Sequence, residues 1–385
     1  MEQVLYKLPE GWEWTNLTDV CTPSRKTVEP NPEEQYNYIG LENIESHTGR
    51  VIGDAPIKGS EISSTKVLFK QGMVLYGKLR PYLNKVIVAK VDGIATTEII
   101  PFECSDVISP DFLAYYLRSQ YFVDLAMNNC SGARMPRATT KLFTQIAKVP
   151  VTSIAEQKRI VTKLDALFTR IDTTIEHLQT NITLADALYA SVLDKEFSKL
   201  MKESDIFPFK KLVDNQDGRR IPIKAGERKN THGTYPYYGA TGVIDYVDDF
   251  IFEGERLLIS EDGANLVARK YPIAFIADGK YWVNNHAHVV NALPDLTSNL
   301  YLKKFFAWVD LSSYITGSAQ PKLSQGKLNT IPVPVPPMSE QTEIVAELDK
   351  AYQLTENLKK GVGEKLGMLT SLKASILDSA FKGEL

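Results

Sequence analysis

The stretch Pro150-Val-Thr-Ser-Ile-Ala-Glu-Gln157 is written a second time, 184 residues later, as Pro334-Val-Pro-Pro-Met-Ser-Glu-Gln341. The two copies stay in step to their ends, where Ser191-Val-Leu-Asp-Lys-Glu-Phe197 is matched by Ser375-Ile-Leu-Asp-Ser-Ala-Phe381. The repeat is long and free of gaps, so chance is a poor explanation, and internal repeats are settled before any local pattern. We therefore expect a chain built from one structural unit used twice.

Each copy has the pattern of a long helix. Ser153, with Glu156 three residues later, is a capping-box signature, and no Gly or Pro occurs from Thr152 to Phe207. The first copy predicts a helix of roughly 45 residues, about 65–70 Å long at about 1.5 Å per residue.

Apolar residues recur every seven positions, and we expect two such series in each copy to form a packed seam. In the first copy the two series are Leu164, Ile171, Leu178, Ala185 and Val192, and Ile160, Leu167, Thr174, Asn181 and Leu188. In the second copy they are Leu348, Thr355, Val362, Leu369 and Ile376, and Ile344, Ala351, Leu358, Lys365 and Leu372. Glycines at 361, 363 and 367 weaken the second helix by roughly 1 kcal/mol each relative to Ala, so this helix needs a partner.

The segments between the helices read as mixed α/β domains. Short β-branched runs alternate with Gly and Pro turns, and the segments 111–125 and 300–309 suit amphipathic helices. The predicted fold class is α+β, with two mixed α/β domains separated by a long antiparallel two-helix coiled coil in a pseudo-two-fold, circular arrangement. The predicted boundaries are 1–152 for the first domain, 153–206 for the central helix, 207–337 for the second domain and 338–385 for the C-terminal helix. We expect the second helix to end near the N-terminus.

Composition places the chain among ordinary globular proteins. Hydrophobic residues make up 43% and charged residues 24% of 385 residues, and no apolar run approaches the roughly 18–20 residues of a membrane span. The N-terminus does not read as a signal peptide. The three cysteines, Cys21, Cys104 and Cys130, fit neither a disulfide framework nor a zinc site, so we expect a cytoplasmic protein without membrane partners.

Catalytic motifs are missing from the sequence. Neither the G-x-x-x-x-G-K-[S/T] phosphate loop, nor G-x-G-x-x-G after a strand, nor an N-P-P-Y motif for methylating a base is present. His286 and His288 could form one edge of a metal site, but no third ligand suggests itself. Glu98, Glu103 and Asp106 near Lys90 match a metal nuclease only loosely. We expect no catalytic residue, no metal and no cofactor bound by this chain.

Basic and aromatic residues cluster on turns of both domains. The net charge of −3 argues against a protein that coats nucleic acid non-specifically, but residues 207–337 hold 15 Lys and Arg against 13 Asp and Glu. Arg and Lys can contact phosphates or guanine, and amides can pair with adenine. In the first domain the DNA-contact candidates are Lys78, Arg80, Tyr82, Lys85, Arg134 and Arg137. In the second domain they are Arg219, Arg220, Lys224, Tyr237, Tyr238, Gln320 and Lys322. The alternatives are a solvated hairpin for the first loop and ordinary packing for the tyrosines.

Several stretches together resemble one known family over the full length of the chain, the DNA-specificity subunits of type I restriction–modification systems. Besides the paired V-P-V-x-x-x-x-E-Q helix starts and S-x-L-D-x-x-F helix ends, the stretches are Leu8-Pro-Glu-Gly-Trp12, Gly72-Met-Val-Leu-Tyr-Gly-Lys-Leu-Arg-Pro-Tyr82, Tyr237-Tyr-Gly-Ala-Thr-Gly242 and Gly254-Glu-Arg-Leu-Leu-Ile-Ser-Glu-Asp-Gly-Ala-Asn265.

This resemblance implies a non-catalytic subunit with two target-recognition domains, each reading one half of a split site in double-stranded DNA. It implies that the helices form a spacer and dock two methyltransferase subunits, which bring S-adenosylmethionine and methylate adenine. Motor–nuclease subunits, using ATP and Mg²⁺, would complete the restriction complex.

The predicted helix length limits how the two domains could contact DNA. Two domains on a spacer of roughly 65 Å, at about 1.5 Å per residue, cannot share one short site. Because the two domains differ in sequence, we expect different half-sites and an asymmetric target. The alternatives left open are a scaffold or adaptor built on a helical hairpin without DNA readout, and an enzyme whose motif escapes recognition.

Overall fold

The computed structural model describes residues 2–53, 56–132, 134–228 and 233–385. The chain divides into two compact units, residues 1–178 with 364–385, and residues 179–363. We call them unit 1 and unit 2. In the part of the chain that is described, no helix is long and apolar enough to cross a membrane.

Both predicted long helices are present, and each contributes to both units. The first long helix is Ile154–Glu203, with 50 residues, and the second is Met338–Phe381, with 44 residues. The Ser153 hydroxyl caps the first of them by accepting a hydrogen bond from the Glu156 backbone N–H at 3.3 Å, as the capping signature predicts.

The two long helices run antiparallel inside each unit. In unit 1 the Arg159 guanidinium donates to the Leu385 backbone oxygen at 2.8 Å, while Lys373 pairs with Asp172 at 2.6 Å. In unit 2 Lys359 pairs with Asp186 at 2.8 Å, and the rings of Tyr189 and Tyr352 lie 5.2 Å apart. The predicted α+β class with an antiparallel helix pair is confirmed.

The predicted first heptad series lies in the seam, whereas the second is buried only at the helix start, at Ile160, and is wrong further along. Leu164, Ile171 and Ala185 are buried as expected, whereas Thr174, Asn181 and Leu188 are exposed. The seam uses instead the residues four positions after the first series. In the first helix these are Phe168, Ile175, Ile182 and Tyr189, all half-buried. A heptad seam needs alternating steps of three and four residues on one face, and only this second choice places an apolar residue at every step.

The same correction applies to the second long helix. Leu348, Thr355 and Val362 are buried, while Leu358, Lys365 and Leu372 face solvent. The glycines at 361, 363 and 367 remain helical, and a Cβ added at any of them would meet no atom within 4 Å. These glycines therefore are not needed for close packing within the described residues.

Unit 1 contains two four-stranded sheets. In the first, which is antiparallel throughout, the strands lie in the order Cys21–Pro23, Ile99–Cys104, Val74–Gly77 and Val86–Val88. In the second they lie in the order Thr27–Val28, Lys66–Phe69, Gly93–Ala95 and Tyr38–Ile39, and only the last pair is parallel. Two-stranded pairs are Glu13–Asn16 with Lys148–Val151, Cys130–Ser131 with Arg137–Ala138, and Gln35–Tyr36 with Ile57–Lys58.

Unit 2 also contains two four-stranded sheets, and its first sheet repeats the arrangement of the first sheet of unit 1 with a different sequence. Its first sheet has the order Val213–Asn215, Ala287–Ala292, Arg256–Ser260 and Ala274–Ala277, again antiparallel throughout. Its second sheet has the order Gly242–Val247, Tyr235–Gly239, Lys280–Val283 and Phe252–Glu253, with one parallel pair in the middle. Ile206–Pro208 pairs with Pro332–Pro334, as Glu13–Asn16 does with Lys148–Val151 in unit 1.

The domain helices are Leu17–Val20, Pro110–Arg118 and Gln120–Asn128 in unit 1, and Ala225–Arg228, Asn265–Ala268, Asn299–Trp308 and Gln325–Leu328 in unit 2. Pro110–Arg118 and Asn299–Trp308 pack on the first sheets of their units, whereas Ala225–Arg228 contacts Gly242–Val247 of the second sheet. The single helix expected over 111–125 is broken at Ser119. Its backbone is extended, with ψ 148°, and its hydroxyl accepts from the Phe122 N–H and so caps the second helix. The helix expected over 300–309 is confirmed.

The residues that repeat at the helix starts are buried anchors. In unit 1 the amide of Gln157 donates to the backbone oxygens of Val107 and Thr152 at 2.9 and 2.8 Å. In unit 2 Gln341 donates in the same way to Leu296 and Pro336, at 2.8 and 3.0 Å. Both glutamines are no more than 1% exposed, so their hydrogen bonds are shielded from water and costly to lose.

The aromatic residues that repeat at the helix ends are buried too. In unit 1 the Phe381 ring lies 5.1 Å from that of Phe112 and 5.2 Å from that of Tyr116. In unit 2 the Phe197 ring lies 5.4 Å from that of Trp308 and 5.7 Å from that of Tyr301. Each long helix thus ends in the hydrophobic core of one domain.

The N-terminal segment meets the end of the second helix inside unit 1. The Tyr6 hydroxyl donates to the Phe381 backbone oxygen at 3.1 Å, and a Cβ on Gly383 would lie 2.2 Å from Pro9 Cγ. The expected approach of the second helix to the N-terminus is therefore confirmed.

Replacing Phe197 or Phe381 by alanine should destabilise one unit selectively. Loss of a buried phenylalanine costs about 3–5 kcal/mol. Hydrogen exchange should rise in Ala287–Ala292 for Phe197→Ala and in Ile99–Cys104 for Phe381→Ala. Leu188→Ala, at a 59% exposed position, is the control and should change neither. Equal loosening of both strands in both variants would contradict the anchoring role.

Candidate nucleic-acid interface

The hairpin after Val74–Gly77 brings three predicted residues to the surface of unit 1. Arg80 and Tyr82 are exposed and Lys78 is half-buried. Pro81–Leu83 forms one turn of 3₁₀ helix, flanked by Arg80 and Asn84, both in the left-handed region with φ 51°. The loop is thus tightly folded and presents two cations and an aromatic ring.

Lys85 has a different position from the other loop candidates. Its ammonium donates to the Leu41 backbone oxygen at 2.5 Å and is half-buried. The neighbouring Asn84 amide donates to the Arg118 backbone oxygen at 2.7 Å. These two residues fasten the base of the loop to the domain, and the Lys85 side chain points inward rather than toward a ligand.

A second segment crosses this loop and adds two predicted arginines. The Arg80 N–H donates to the Pro136 oxygen at 2.7 Å, and the Ala138 N–H donates to the Lys78 oxygen at 3.0 Å. Arg137 forms an ion pair with Glu98 at 3.1 Å, and Arg134 is exposed. We call this crossing of residues 78–80 and 136–138 the first junction. It brings together Lys78, Arg80, Arg134 and Arg137.

Unit 2 contains the same crossing with other side chains. The Gly263 N–H donates to the Pro321 oxygen at 2.9 Å, and the Leu323 N–H donates to the Glu261 oxygen at 2.7 Å. We call this crossing of residues 261–263 and 321–323 the second junction. It presents the exposed Gln320 and Lys322, so Lys78, Arg80 and Arg137 correspond in position to Glu261, Gly263 and Lys322.

An ion-pair network lies under the second junction and includes Arg220. Its guanidinium contacts Glu261 at 2.6 Å and Asp217 at 3.4 Å, and only 13% of the side chain is exposed. Lys322 contacts Glu261 at 3.1 Å, and His288 contacts Asp217 at 2.6 Å. Arg220 is therefore placed to support the junction from beneath.

The network holds the acidic groups in their charged form. Burial acts to raise the pKa of Asp217, but hydrogen bonds from His288 and the Val289 N–H and the charge of Arg220 bring the pKa below its ordinary value. Burial also acts to raise the pKa of Glu261, but Arg220, His288 and Lys322 bring that pKa below its ordinary value.

Asp217, Glu261 and His288 also meet the distance criterion for a metal site, since their ligand atoms lie within 4.8 Å of one another. Protein cations already use the carboxylates, through Arg220 and Lys322. The remaining ring nitrogen of His288 faces the Leu323 backbone oxygen at 2.8 Å. The donor set of these three residues therefore fits an ion-pair network better than a metal. His286, the other histidine of the predicted pair, contacts Asp262 at 2.9 Å.

The remaining predicted residues of unit 2 lie in varied surroundings. Tyr237 is 1% exposed and its hydroxyl accepts from the Ile223 N–H at 3.0 Å, which fits a packing role. Tyr238 is half-buried and stacks on Phe275. Arg219 is exposed, but its guanidinium lies 4.8 Å from the centre of the Phe252 ring. Lys224 is exposed.

Met135 was missed by the sequence reasoning. It is 45% exposed and stands beside Arg134 on the first junction, where Gln320 stands on the second. A search for basic and polar residues passes over a methionine. The available signal was the shared spacing of Gly132 and Gly317 from the prolines four residues later.

Two α+β units, each with the same strand order in its first sheet, an exposed loop junction of its own chemistry and parts of both long helices, define a duplicated two-domain protein. The family model of the type I restriction modification DNA specificity domain matches residues 9–184 and 199–366. The chain belongs to this family, and the predicted resemblance is confirmed.

Relatives and solved structures agree with this assignment. A putative type I restriction enzyme specificity subunit of Haemophilus influenzae is 38% identical over 41% of this chain and 40% of its own length. The EcoDI specificity subunit of Escherichia coli is 29% identical over half of this chain, and the match spans 43% of that protein. The StySPI specificity subunit of Salmonella potsdam is 22% identical over 98% of this chain and 90% of its own length.

The solved structures show the same fold at low identity. One chain, from work described as the structural basis of complex assembly and conformational transition of the type I R-M system, has a TM-score of 0.83 at 21% identity and covers 99% of this chain and 100% of its own. The HsdS subunit of Thermoanaerobacter tengcongensis has a TM-score of 0.57 at 22% identity and covers 99% of both chains.

Arg80 offers a test of the junction that separates folding from binding. A left-handed conformation costs a residue with a Cβ about 1–2 kcal/mol, and the corresponding residue of unit 2 is Gly263. Arg80→Gly should therefore raise the free energy of unfolding by up to about 1 kcal/mol and weaken DNA binding. Arg80→Ala should weaken binding equally without stabilising. Chemical denaturation and binding of the assembled complex check both, and unimpaired binding by either variant would remove Arg80 from the interface.

The ion-pair network predicts acid sensitivity of unit 2. Because the folded pKa of Asp217 and Glu261 lies below the unfolded value, their stabilisation is present above an unfolded pKa of about 4. It is lost as pH falls through the folded pKa. Glu261→Gln should lower stability at pH 7 and flatten its decline on acidification. Chemical denaturation in steps from about pH 6 to pH 3 measures this, and a variant that declines as steeply as the wild type would refute it.

Proposed function

We propose that this chain is the sequence-specific DNA-binding subunit of a type I restriction–modification complex in the cytoplasm, and that it reads a bipartite, asymmetric site with one half-site per unit. The observation that best supports this proposal is the pair of junctions. Their backbones make the same crossing hydrogen bonds, while Arg80 corresponds to Gly263 and Met135 to Gln320. Equal geometry with unequal side chains is what two readers of different half-sites require.

Electrostatics supports a local rather than a general attraction to DNA. The chain carries a net charge of −3, so we expect attraction to DNA to come from local cations, most of all those of the first junction. In the first junction these are Lys78, Arg80, Arg134 and Arg137, with Glu98 alone of the described carboxylates within 4.0 Å of Arg137. Contacts of such cations with phosphates position a protein on DNA, and groups that reach base edges give specificity.

The spacing between the half-sites is proposed to come from the long helices. The first helix has 50 residues, which corresponds to about 75 Å at about 1.5 Å per residue. One turn of DNA is about 34 Å. Lengthening both helices by one turn should change the number of unread base pairs between the half-sites and leave the half-sites themselves unchanged.

The chemistry is proposed to belong to partner subunits. Methyltransferase subunits would supply S-adenosylmethionine chemistry, and motor–nuclease subunits would use ATP and Mg²⁺, while this chain catalyses nothing. The rival function is a protein scaffold without DNA readout. Matched junctions of different chemistry favour DNA reading over that rival, because a scaffold has no need of two unlike exposed loops on one framework.

Exchanging residues 207–337 for the corresponding domain of another specificity subunit tests the proposal. Modified adenines in a host carrying the whole system should then change in one half of the recognised sequence and not in the other. A chain with a synonymous recoding of the same segment is the control. A motif that changes in both halves, or in neither, would contradict one reader per unit.

Recruitment of two methyltransferases has candidate residues on the long helices. Leu184 and Leu188 on the first helix are each 59% exposed. Met368 and Leu372, at the corresponding repeat positions on the second, are 69% and 47% exposed. Residues four apart on a helix form one apolar patch, and exposed apolar patches mark interaction sites. We propose that these two patches each dock one copy of the same methyltransferase.

Charge placed in a patch should remove one methyltransferase. Leu188→Asp and Leu372→Asp should each lower the bound methyltransferase from two copies to one, because a desolvated carboxylate opposes docking, and the double variant should bind none. Native mass spectrometry of the purified complex counts the copies. Gln179→Asp is the control, since this exposed residue lies about half a turn round the helix from Leu188. Two copies retained by the double variant would contradict the assignment.

A further inference from the structure

The residue before the junction proline is held in the same way in both units. It is Met135 before Pro136 in unit 1 and Gln320 before Pro321 in unit 2. Both side chains are exposed, Met135 at 45%. This pair therefore occupies one position of a shared framework with two different chemistries.

A glycine and a proline restrict the backbone on either side of this pair. Gly132 and Gly317 have φ of 85° and 82°, which a residue with a side chain rarely adopts. A Cβ at Gly132 would lie 3.1 Å from the Met135 oxygen, and one at Gly317 would lie 2.6 Å from the Gln320 oxygen. A proline restricts the residue before it to extended conformations. The backbone at Met135 and Gln320 is thus restricted from both sides.

The base of each loop is clamped by the junction itself. The Pro136 oxygen accepts from Arg80 at 2.7 Å, and the Pro321 oxygen accepts from Gly263 at 2.9 Å. The basic residue that follows each proline is bound to a carboxylate, Arg137 to Glu98 and Lys322 to Glu261. By contrast, the exposed side chains of Met135 and Gln320 form no hydrogen bond or ion pair with the described residues.

We propose that Met135 and Gln320 are specificity-determining residues, each reading one base pair of its own half-site. The inference rests on the proposed function of DNA reading and assigns where in each unit the reading occurs. The Gln320 amide can both donate to and accept from adenine at N6 and N7. Met135 has no strong hydrogen-bonding group, so it reads by apolar contact with a thymine methyl group.

Reciprocal substitution tests this assignment in the assembled methyltransferase complex. Met135→Gln and Gln320→Met are each presented with a DNA library randomised across the recognised sequence, and modified adenines are mapped by sequencing. Met135→Gln should change the preferred base at one position of one half-site, and Gln320→Met at one position of the other, each by about 5- to 160-fold. Met135→Leu, which keeps the apolar side chain, should preserve the wild-type preference.

The controls change similarly exposed residues outside the junctions. Val91→Gln, at a 51% exposed position of unit 1, and Gln325→Met, exposed in unit 2, should leave the recognised sequence unchanged. If both junction variants retain the wild-type preference, or lose modification equally on all sequences while remaining folded, the inference is overturned. A wild-type chain that directs modification to no bipartite site would overturn the proposed function instead.

Discussion

The burial of one phenylalanine at the end of each long helix fixes that helix end in the hydrophobic core of one unit. Phe197 and Phe381 are at most 1% exposed and enter the aromatic cores around Trp308 and Phe112. Gln157 and Gln341, at the other ends of the same helices, are equally buried and satisfy backbone oxygens of the domains. Within each unit the start of one long helix and the end of the other are held in place, because sliding or turning there would expose aromatic surface and leave a buried amide without its partners. The exposed junctions are presented from a framework that these anchors fix.

The buried residues that anchor the long helices are repeated in sequence, whereas the exposed side chains of the two junctions have diverged. The residues shared at an offset of 184 positions lie where the long helices enter the domain cores. The junctions share backbone geometry through glycine and proline only, while Met135 and Gln320 differ. The strand order of the first sheet is the same in both units, although the strands share almost no residues. This distribution is what the proposed function requires, since it keeps one framework and varies the exposed side chains on it.

The long helices were predictable because an uninterrupted repeat of about 45 residues leaves few alternatives. The second heptad series of the seam was not predictable. Two series of apolar residues compete for that place, one with Ile160 and Leu167 and the other with Phe168 and Ile175. Only packing shows which face turns inward. The break at Ser119 escaped because a serine inside an amphipathic pattern differs little from a tolerated helical residue until its hydroxyl is seen to cap the next helix. Among the site residues, basic and aromatic composition located both junctions. It could not show that Arg220 lies in a network with Glu261 and His288, since these two residues are distant from it in sequence.

The central claim is that each unit reads its own half-site on one DNA molecule. Hydroxyl-radical footprinting of the chain assembled with its methyltransferase, on DNA containing the recognised sequence, tests it most directly. The account predicts two protected tracts separated by an accessible gap, with Arg80→Ala weakening protection of one tract only. A single continuous tract, or weakening of both tracts by that one substitution, would contradict it.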